Sequence, residues 1–534
     1  MKLRQEELNN RKLWEEHGFE LPKFDRNKMI VDTKAKPEWV HFGAGNIFRA
    51  FPAAVCQDLL NSGVLDTGII VAEGYDYEII EKCYKKFDDL SVLVTLKADG
   101  SLDKKVIGSI AESLCVDTNN LKDWNRLKEI FKSQTLKMVS FTITEKGYSL
   151  VNGNNEFLKD VMNDFNNGPT SVTSYIGKLA ALCYERFKND RLPFTLVSMD
   201  NCSHNGTKLE NAITTFATHW TESKLVEAEF LTYVTKDISY PWTMIDKITP
   251  RPAQSVIDML KDIGFEDTEA IMTSKNTYIA PFVNAEEPQY LVIEDNFKNG
   301  RLPLGSGGII YADKETVDKV EKMKVCTCLN PLHTALAIYG CLLSYNKISD
   351  EMKDSELVTL IKNIGYVEGL PVVVNPGIIS PKEFIDEVMQ VRLPNPFMPD
   401  TPQRIVCDTS QKLGIRFGET IKAYAENPNL DVKNLTFIPL AIAGWCRYLM
   451  AIDDNGNVFE LSPDPMLSLL TTIIADIKFN QTQNVHETLI KILSNKSIFG
   501  VNLYEVGLGE KIETYFKELI QGKGSIRLTL KKYC

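Results

Sequence analysis

The segment KVCTCLNPLH, residues 324–333, places a lysine, an asparagine and a histidine around two cysteines. Lys324 is a candidate general base: burial favours the neutral form of a lysine, which can then take the proton of an alcohol as its hydride leaves. Asn330 would stabilise the developing alkoxide through its amide. His333, three residues on and about 60° around a helix, would orient the substrate. The same letters also read as a plain helix start, with Asn330 as N-cap and Pro331 at the first helical position. A zinc site fits poorly, because Cys326 and Cys328 lack the two-residue gap and no second ligand pair follows, so no metal is expected. A nucleophilic cysteine would need a base partner and an electropositive pocket, neither of which the sequence shows.

A second cluster lies at 43–48, G-A-G-N-I-F. In a dinucleotide turn Gly43 would permit the tight bend and Gly45 the close approach of a pyrophosphate, with Asn46 and Ile47 opening the helix behind it. The third glycine position is Phe48, a departure from G-x-G-x-x-G. Glu73 follows at the end of the next apolar run, where a carboxylate accepts hydrogen bonds from ribose hydroxyls and repels a 2′-phosphate. NAD is therefore expected over NADP, with Asp76 as a rival for the ribose role. The plainer alternative is an ordinary strand-to-helix turn and a solvated acid.

These residues need elements to hold them. Residues 38–74 read as strand, glycine turn, helix and strand, a βαβ unit whose second strand, GIIVA, suits a parallel sheet covered on both faces. Further apolar runs at 136–144 and 194–199 extend the pattern into an N-terminal α/β, Rossmann-like doubly wound domain, assigned to residues 1–288. Amphipathic segments at 315–345, 349–364, 381–391, 411–426, 465–494 and 509–520 predict a mainly α-helical C-terminal domain over 289–534. A length of 534 residues suits two domains, and 44% hydrophobic and 25% charged residues are those of an ordinary folded chain. A net charge of -11 argues against a nucleic-acid binder, because phosphates demand surplus cations. The N-terminus lacks the apolar core of a signal peptide, and the apolar stretch at 437–445 is too short to cross a bilayer. Eleven irregularly spaced cysteines make no disulfide framework. A cytoplasmic protein with no membrane partner is expected, its oligomeric state open.

Taken in order along the chain, several blocks resemble the polyol-specific long-chain dehydrogenases, a family that includes mannitol 2-dehydrogenase, fructuronate reductase and tagaturonate reductase. They are HFGAGNIFRAF, SFTITEKGYSL, VSMDNCSHNG, MIDKITPRP, YLVIEDNFKNGRLP, KVCTCLNPLH, RLPNPFMPDTPQRIVCDTSQK and AGWCRYLMAIDDNG. The resemblance implies a nucleotide-binding domain, a helical domain and a metal-independent site. Its K-x4-N-x2-H pattern falls on Lys324, Asn330 and His333, and its S-x-D-N block puts a second oxyanion asparagine at Asn201. Asp246 matches the acid of the V-D-R-I-T/V-P block, as an electrostatic partner of the site. Gly43, Gly45 and Arg49 match G-x-G-x-F-x-R.

One departure stands out: five residues, not four, separate Lys324 from Asn330. One extra residue turns an α-helix by about 100°, so the chain must break near Pro331 or widen into a π-bulge, with Lys322 as the fallback base. A substrate carboxylate would call for an arginine, from Arg251, Arg392, Arg404 and Arg416. The segments RPA and NPFMPDTPQR are most similar to fructuronate reductases, which implies NAD-dependent reduction of D-fructuronate to D-mannonate. Tagaturonate reductase and mannitol 2-dehydrogenase are the near alternatives. An inactive nucleotide-binding sensor is the distant one.

Overall fold

The computed structural model describes residues 1–534 as two units. The first comprises residues 1–97 and 101–318, and the second residues 319–534 with 98–100.

The first unit is built on six parallel strands: β1 (Trp39–Phe42), β2 (Ile69–Glu73), β3 (Ile110–Cys115), β4 (Met138–Phe141), β5 (Phe194–Ser198) and β6 (Ile238–Ser239). Their order in the sheet is β3-β2-β1-β4-β5-β6, the doubly wound arrangement whose direction of winding reverses between β1 and β4. Ligands bind such sheets in the crevice at the carboxyl ends of those strands. Side chains of one strand point alternately to two cores. Val40, Phe42, Ile70 and Ala72 pack under the helices 121–132, 175–188 and 205–222, while Trp39, Ile69 and Val71 face the helix Pro52–Asn61. Cover on both faces is why these strands read as continuous apolar runs.

The boundary expected at 288 is too early. Strand β7 (Thr243–Asp246) pairs with Tyr290–Glu294, which pairs in turn with Ile310–Ala312, so the first unit continues to Asp318. The polar, glycine-containing stretch at 283–305 carries strand residues of this unit rather than separating two domains.

The second unit is helical. Its central helix, Asn330–Leu342, is buried along nearly its whole length, and the Tyr339 hydroxyl donates to the Leu440 carbonyl of a neighbouring helix (2.8 Å). The continuous run Lys314–Leu342 is long and apolar enough to cross a membrane by length and composition, but most of that stretch is buried inside the protein, as a core helix is. Four π-helical turns interrupt the unit's helices: Met323–Cys328, Asn363–Gly369, Val388–Arg392 and Gly414–Gly418. Glu351, fully buried, has no hydrogen-bond partner for either carboxyl oxygen.

Candidate active site

At the carboxyl end of β1 the chain turns sharply. Gly43 has φ +106, and a Cβ there would meet the Thr142 carbonyl at 2.2 Å, so only glycine lets β1 and β4 approach. Gly45 is different. Its backbone is ordinary, and a Cβ there would meet nothing within 4 Å. The fold does not need this glycine; a ligand brought up against the backbone would. That open cradle beside the amide of Asn46 fits a pyrophosphate.

The helix behind the turn is short: α1 (Asn46–Ala50) ends at Phe51, and α2 (Pro52–Asn61) begins with proline in its first turn. Phe48, in the third-glycine position, is fully buried and stacks on His41 with ring centroids 4.3 Å apart. An aromatic contact here replaces the close helix-to-strand packing that glycine usually permits. His41 is held by Ser140 (2.7 Å) and Thr142 (2.8 Å), and burial depresses it to about 3, so it stays neutral.

Glu73 ends β2 beside this turn. Its carboxylate accepts from the Ala44 amide (2.8 Å) and from the amides of Tyr75 (2.7 Å) and Asp76 (3.1 Å). These bonds fix its position while leaving lone pairs for ribose hydroxyls. Asp76, the rival, is buried and accepts from the Thr273 hydroxyl (2.6 Å). Arg49 is fully buried, donating to the Ala280 carbonyl (2.7 Å) and to Asn46 (2.8 Å). It braces the turn from behind through Asn46 and is not exposed to a ligand.

Asn201 lies just beyond β5 with its side chain exposed. The preceding Asp200, which the sequence reading did not single out, accepts from the amides of Ile143 (2.9 Å) and Thr144 (2.8 Å) and from the Tyr148 hydroxyl (2.5 Å). This ties the loop after β5 to the loop after β4. Asn205, fully buried at the start of helix α3 (Asn205–Glu222), donates to the carbonyls of Asp200 (3.0 Å) and Thr243 (3.1 Å). The loop of Asn201 and the strand of Asp246 are thereby joined within one unit. Asp246 itself is buried at the end of β7. Arg251 is exposed in the loop that follows.

In the second unit, Lys324 is buried in the π turn Met323–Cys328. The Leu329 amide donates to the Lys324 carbonyl (3.1 Å), an i to i+5 bond. Of the two ways to accommodate the extra residue, this is the bulge, and a turn of this width absorbs one residue without rotating its flanks as an α-helical insertion would. Asn330 then sits in the first turn of α4 (Asn330–Leu342), with Leu329 in the capping position and no side-chain cap. The Asn330 amide makes no hydrogen bond among the described residues, so the plain capped-helix reading of Asn330 does not hold. Cys328 is buried, and burial raises its thiol to about 12, which disfavours it as a nucleophile.

His333 is buried at Nε2, an atom without a hydrogen-bond partner, 3.7 Å from Asp400. Burial first, then Arg416, Arg404, Arg392 and Lys412, lowers its pKa to about 3. Arg404 is largely exposed and already paired with Asp400. Arg392 is buried and engaged.

With this geometry in hand, comparison with known proteins is decisive about kinship. The Rossmann domain of mannitol dehydrogenases matches residues 37–306, and the mannitol dehydrogenase C-terminal domain matches 316–520. The chain belongs to the mannitol dehydrogenase family. It is therefore an oxidoreductase acting on CH–OH groups. A D-mannonate oxidoreductase of Thermotoga maritima is 53% identical over 100% of this chain and 99% of its own length. A mannitol 2-dehydrogenase of Emericella nidulans is 28% identical over 91% of this chain and 90% of its own. The structure of Pseudomonas fluorescens mannitol 2-dehydrogenase, a ternary complex with NAD and D-mannitol, shares the fold with a TM-score of 0.69, covering 100% of this chain and 99% of its own at 24% identity.

Proposed function

We propose that this member of the family is an NAD-dependent, metal-independent reductase that interconverts D-fructuronate and D-mannonate. The observation that carries the substrate is the full-length similarity to a D-mannonate oxidoreductase, well above the similarity to a mannitol 2-dehydrogenase. NAD is supported by the open cradle at Gly45, by the fixed carboxylate of Glu73 and by the NAD complex of a protein with the same fold. A 2′-phosphate against Glu73 would meet a buried negative charge. When bound, the reduced cofactor supplies hydride to the ketone carbon. Gly43, Gly45, Asn46, Ile47 and Glu73 hold it, with Arg49 bracing the turn. Lys324 gives its proton to the nascent alkoxide oxygen and takes it back in the reverse direction. The amide of Asn330 stabilises that oxygen and His333 orients the substrate, while Asn201 as a further oxyanion asparagine and Asp246 as an electrostatic partner are the roles that the family resemblance implies. Among Arg251, Arg392, Arg404 and Arg416, exposure weakens the case for Arg251 as the partner of a substrate carboxylate, and the pairing with Asp400 that for Arg404. Unpaired thiols suit a cytoplasmic setting.

The test is NADH oxidation by the purified protein with D-fructuronate, D-tagaturonate and D-fructose side by side. Turnover led by D-fructuronate is expected. Turnover led by D-fructose would overturn the sugar-acid reading, and turnover led by D-tagaturonate would move it to the epimer.

A further inference from the structure

The five arginines of the second unit are not equivalent. Arg404 is paired with Asp400, Arg527 with Asp354 and Glu356, and Arg447 with the carbonyls of Leu519 and Ile452, while Arg392 is engaged as well. Arg416 is the exception. It rises from the π turn Gly414–Gly418, which packs against the π turn of Lys324, and donates through Nη1 to the hydroxyl of Thr334, the residue after His333. Like Arg447 it pairs with no carboxylate, but unlike Arg447 it donates to no backbone carbonyl. Its Nε and Nη2 make no hydrogen bond within the protein, and neither is among the partnerless polar atoms sealed from solvent. That leaves one planar edge of two N–H donors open, the geometry that a carboxylate accepts in bidentate fashion.

The surroundings strengthen the case. Lys412 lies one helical turn before Arg416, whose amide donates to the Lys412 carbonyl (2.9 Å), and its ammonium, which donates to the Cys407 carbonyl, is near enough for the guanidinium to add to burial in lowering its pKa. Like charges at this spacing repel unless an anion joins them. Both Arg416 and Lys412 are near enough to His333 for their charge to add to burial in lowering its pKa, and its buried Nε2 lacks a hydrogen-bond partner. Burial alone drops the Arg416 guanidinium to about 10, the mark of a cation set in the protein without its counter-charge.

We propose that Arg416, backed by Lys412, receives the carboxylate of the substrate and makes the site select sugar acids over neutral ketoses and polyols. This rests on the sugar-acid reading above and names the residue responsible for it. Thr334 fixes the remaining donor and keeps the guanidinium plane from rotating.

The experiment compares wild type, Arg416→Gln and Arg416→Lys. It reads kcat and KM for D-fructuronate reduction, and competitive inhibition by D-mannonate against that by D-mannitol. Folding is checked by thermal melting and NADH binding by fluorescence titration. Losing charge-assisted hydrogen bonds to one carboxylate raises KM for D-fructuronate by about 10- to 100-fold in Arg416→Gln. D-Mannonate inhibition should weaken to match, D-mannitol inhibition should change much less, and Arg416→Lys should recover part of the loss. A variant that binds NADH and melts like wild type but keeps its preference for D-mannonate over D-mannitol would overturn the proposal. So would equal losses for both inhibitors. Wild type that turns over only neutral ketoses would instead remove the sugar-acid reading, whatever Arg416 does.

Discussion

Around the glycine turn of the first unit the candidate groups are mostly backbone atoms, and those of the second unit are side chains. Around Gly43 and Gly45 the protein offers amides and open space, and the sequence requirement is for something missing, a Cβ. Around His333 it offers an amide, the unpaired Nε2 of the histidine and a group of cations, and the requirement is for particular side chains at particular heights on packed helices. A regular parallel sheet satisfies the first kind of demand, because its strand ends and winding reversal create the cleft wherever the topology is right. A regular helix satisfies the second kind poorly. Its 100° step fixes which face each residue occupies, and the second unit departs from that step at four π turns, two of which carry Lys324 and Arg416.

The contrast can be broken most severely at Lys324. Lys324→Ala should lower kcat by about 10²- to 10⁴-fold, the usual worth of a positioned acid or base, while NADH affinity stays near that of wild type. Stopped-flow reduction and a binding titration separate the two, and unchanged kcat would remove this lysine from the chemistry.

A smaller effect separates the two glycines. Gly43→Ala should destabilise the protein by several degrees in Tm, because its Cβ collides with the Thr142 backbone at a positive φ. Gly45→Ala should melt within about 2 °C of wild type yet bind NADH roughly tenfold more weakly, since its methyl group occupies only the space left for the cofactor. Equal NADH affinity in Gly45→Ala would place the cofactor elsewhere.

Smaller still is the response to acid. His333 and His41, one in each unit, are depressed from 6.5 to about 3. Each stays neutral in the fold and takes up a proton on unfolding, so the stability tied to each is present above pH 6.5 and is lost as pH falls towards 3. Melting His333→Gln and wild type from pH 7 to 4 should show the variant losing less stability, by about one proton's worth of slope. Parallel curves would contradict the burial of His333.

The mildest effect should come from Glu351, whose carboxyl burial raises from 4.5 to about 10, with Asp354 and Asp350 adding to it. The unfolded chain ionises it above pH 4.5 and the fold does not, so it subtracts stability as pH rises towards 10. Glu351→Gln should therefore gain about 2 °C in Tm at pH 8 and almost nothing at pH 4. No gain at pH 8 would show that the acid is ionised in place.

How much of this the sequence reveals follows the same division. The βαβ pattern and the pair of glycines are enough to place the first sheet and its turn, because period and composition there report directly on topology. The domain boundary was misjudged because Tyr290–Glu294 and Ile310–Ala312 are short strands in a polar, glycine-containing stretch, which reads as a linker until β7 is seen to need a partner. Asp200 and Asn205 sat within a quoted block, yet their work is done through backbone contacts that no spacing announces. The helical segments of the second unit were legible from periodicity, and the need for a break or bulge after Lys324 was legible from a count of residues. That Arg416 lacks a counter-ion was not, since pairing is a property of three dimensions.

The π turn at Met323–Cys328 also bears on ancestry. A residue inserted into a loop leaves no trace in the structure, but one taken into a helix must be carried as a widened turn for as long as the helix keeps its function. In this chain the turn takes up the fifth residue between Lys324 and Asn330. Relatives with four residues between the lysine and the asparagine should have a plain α turn here, and the two groups can be sorted by helix geometry even where their sequences have diverged too far to align.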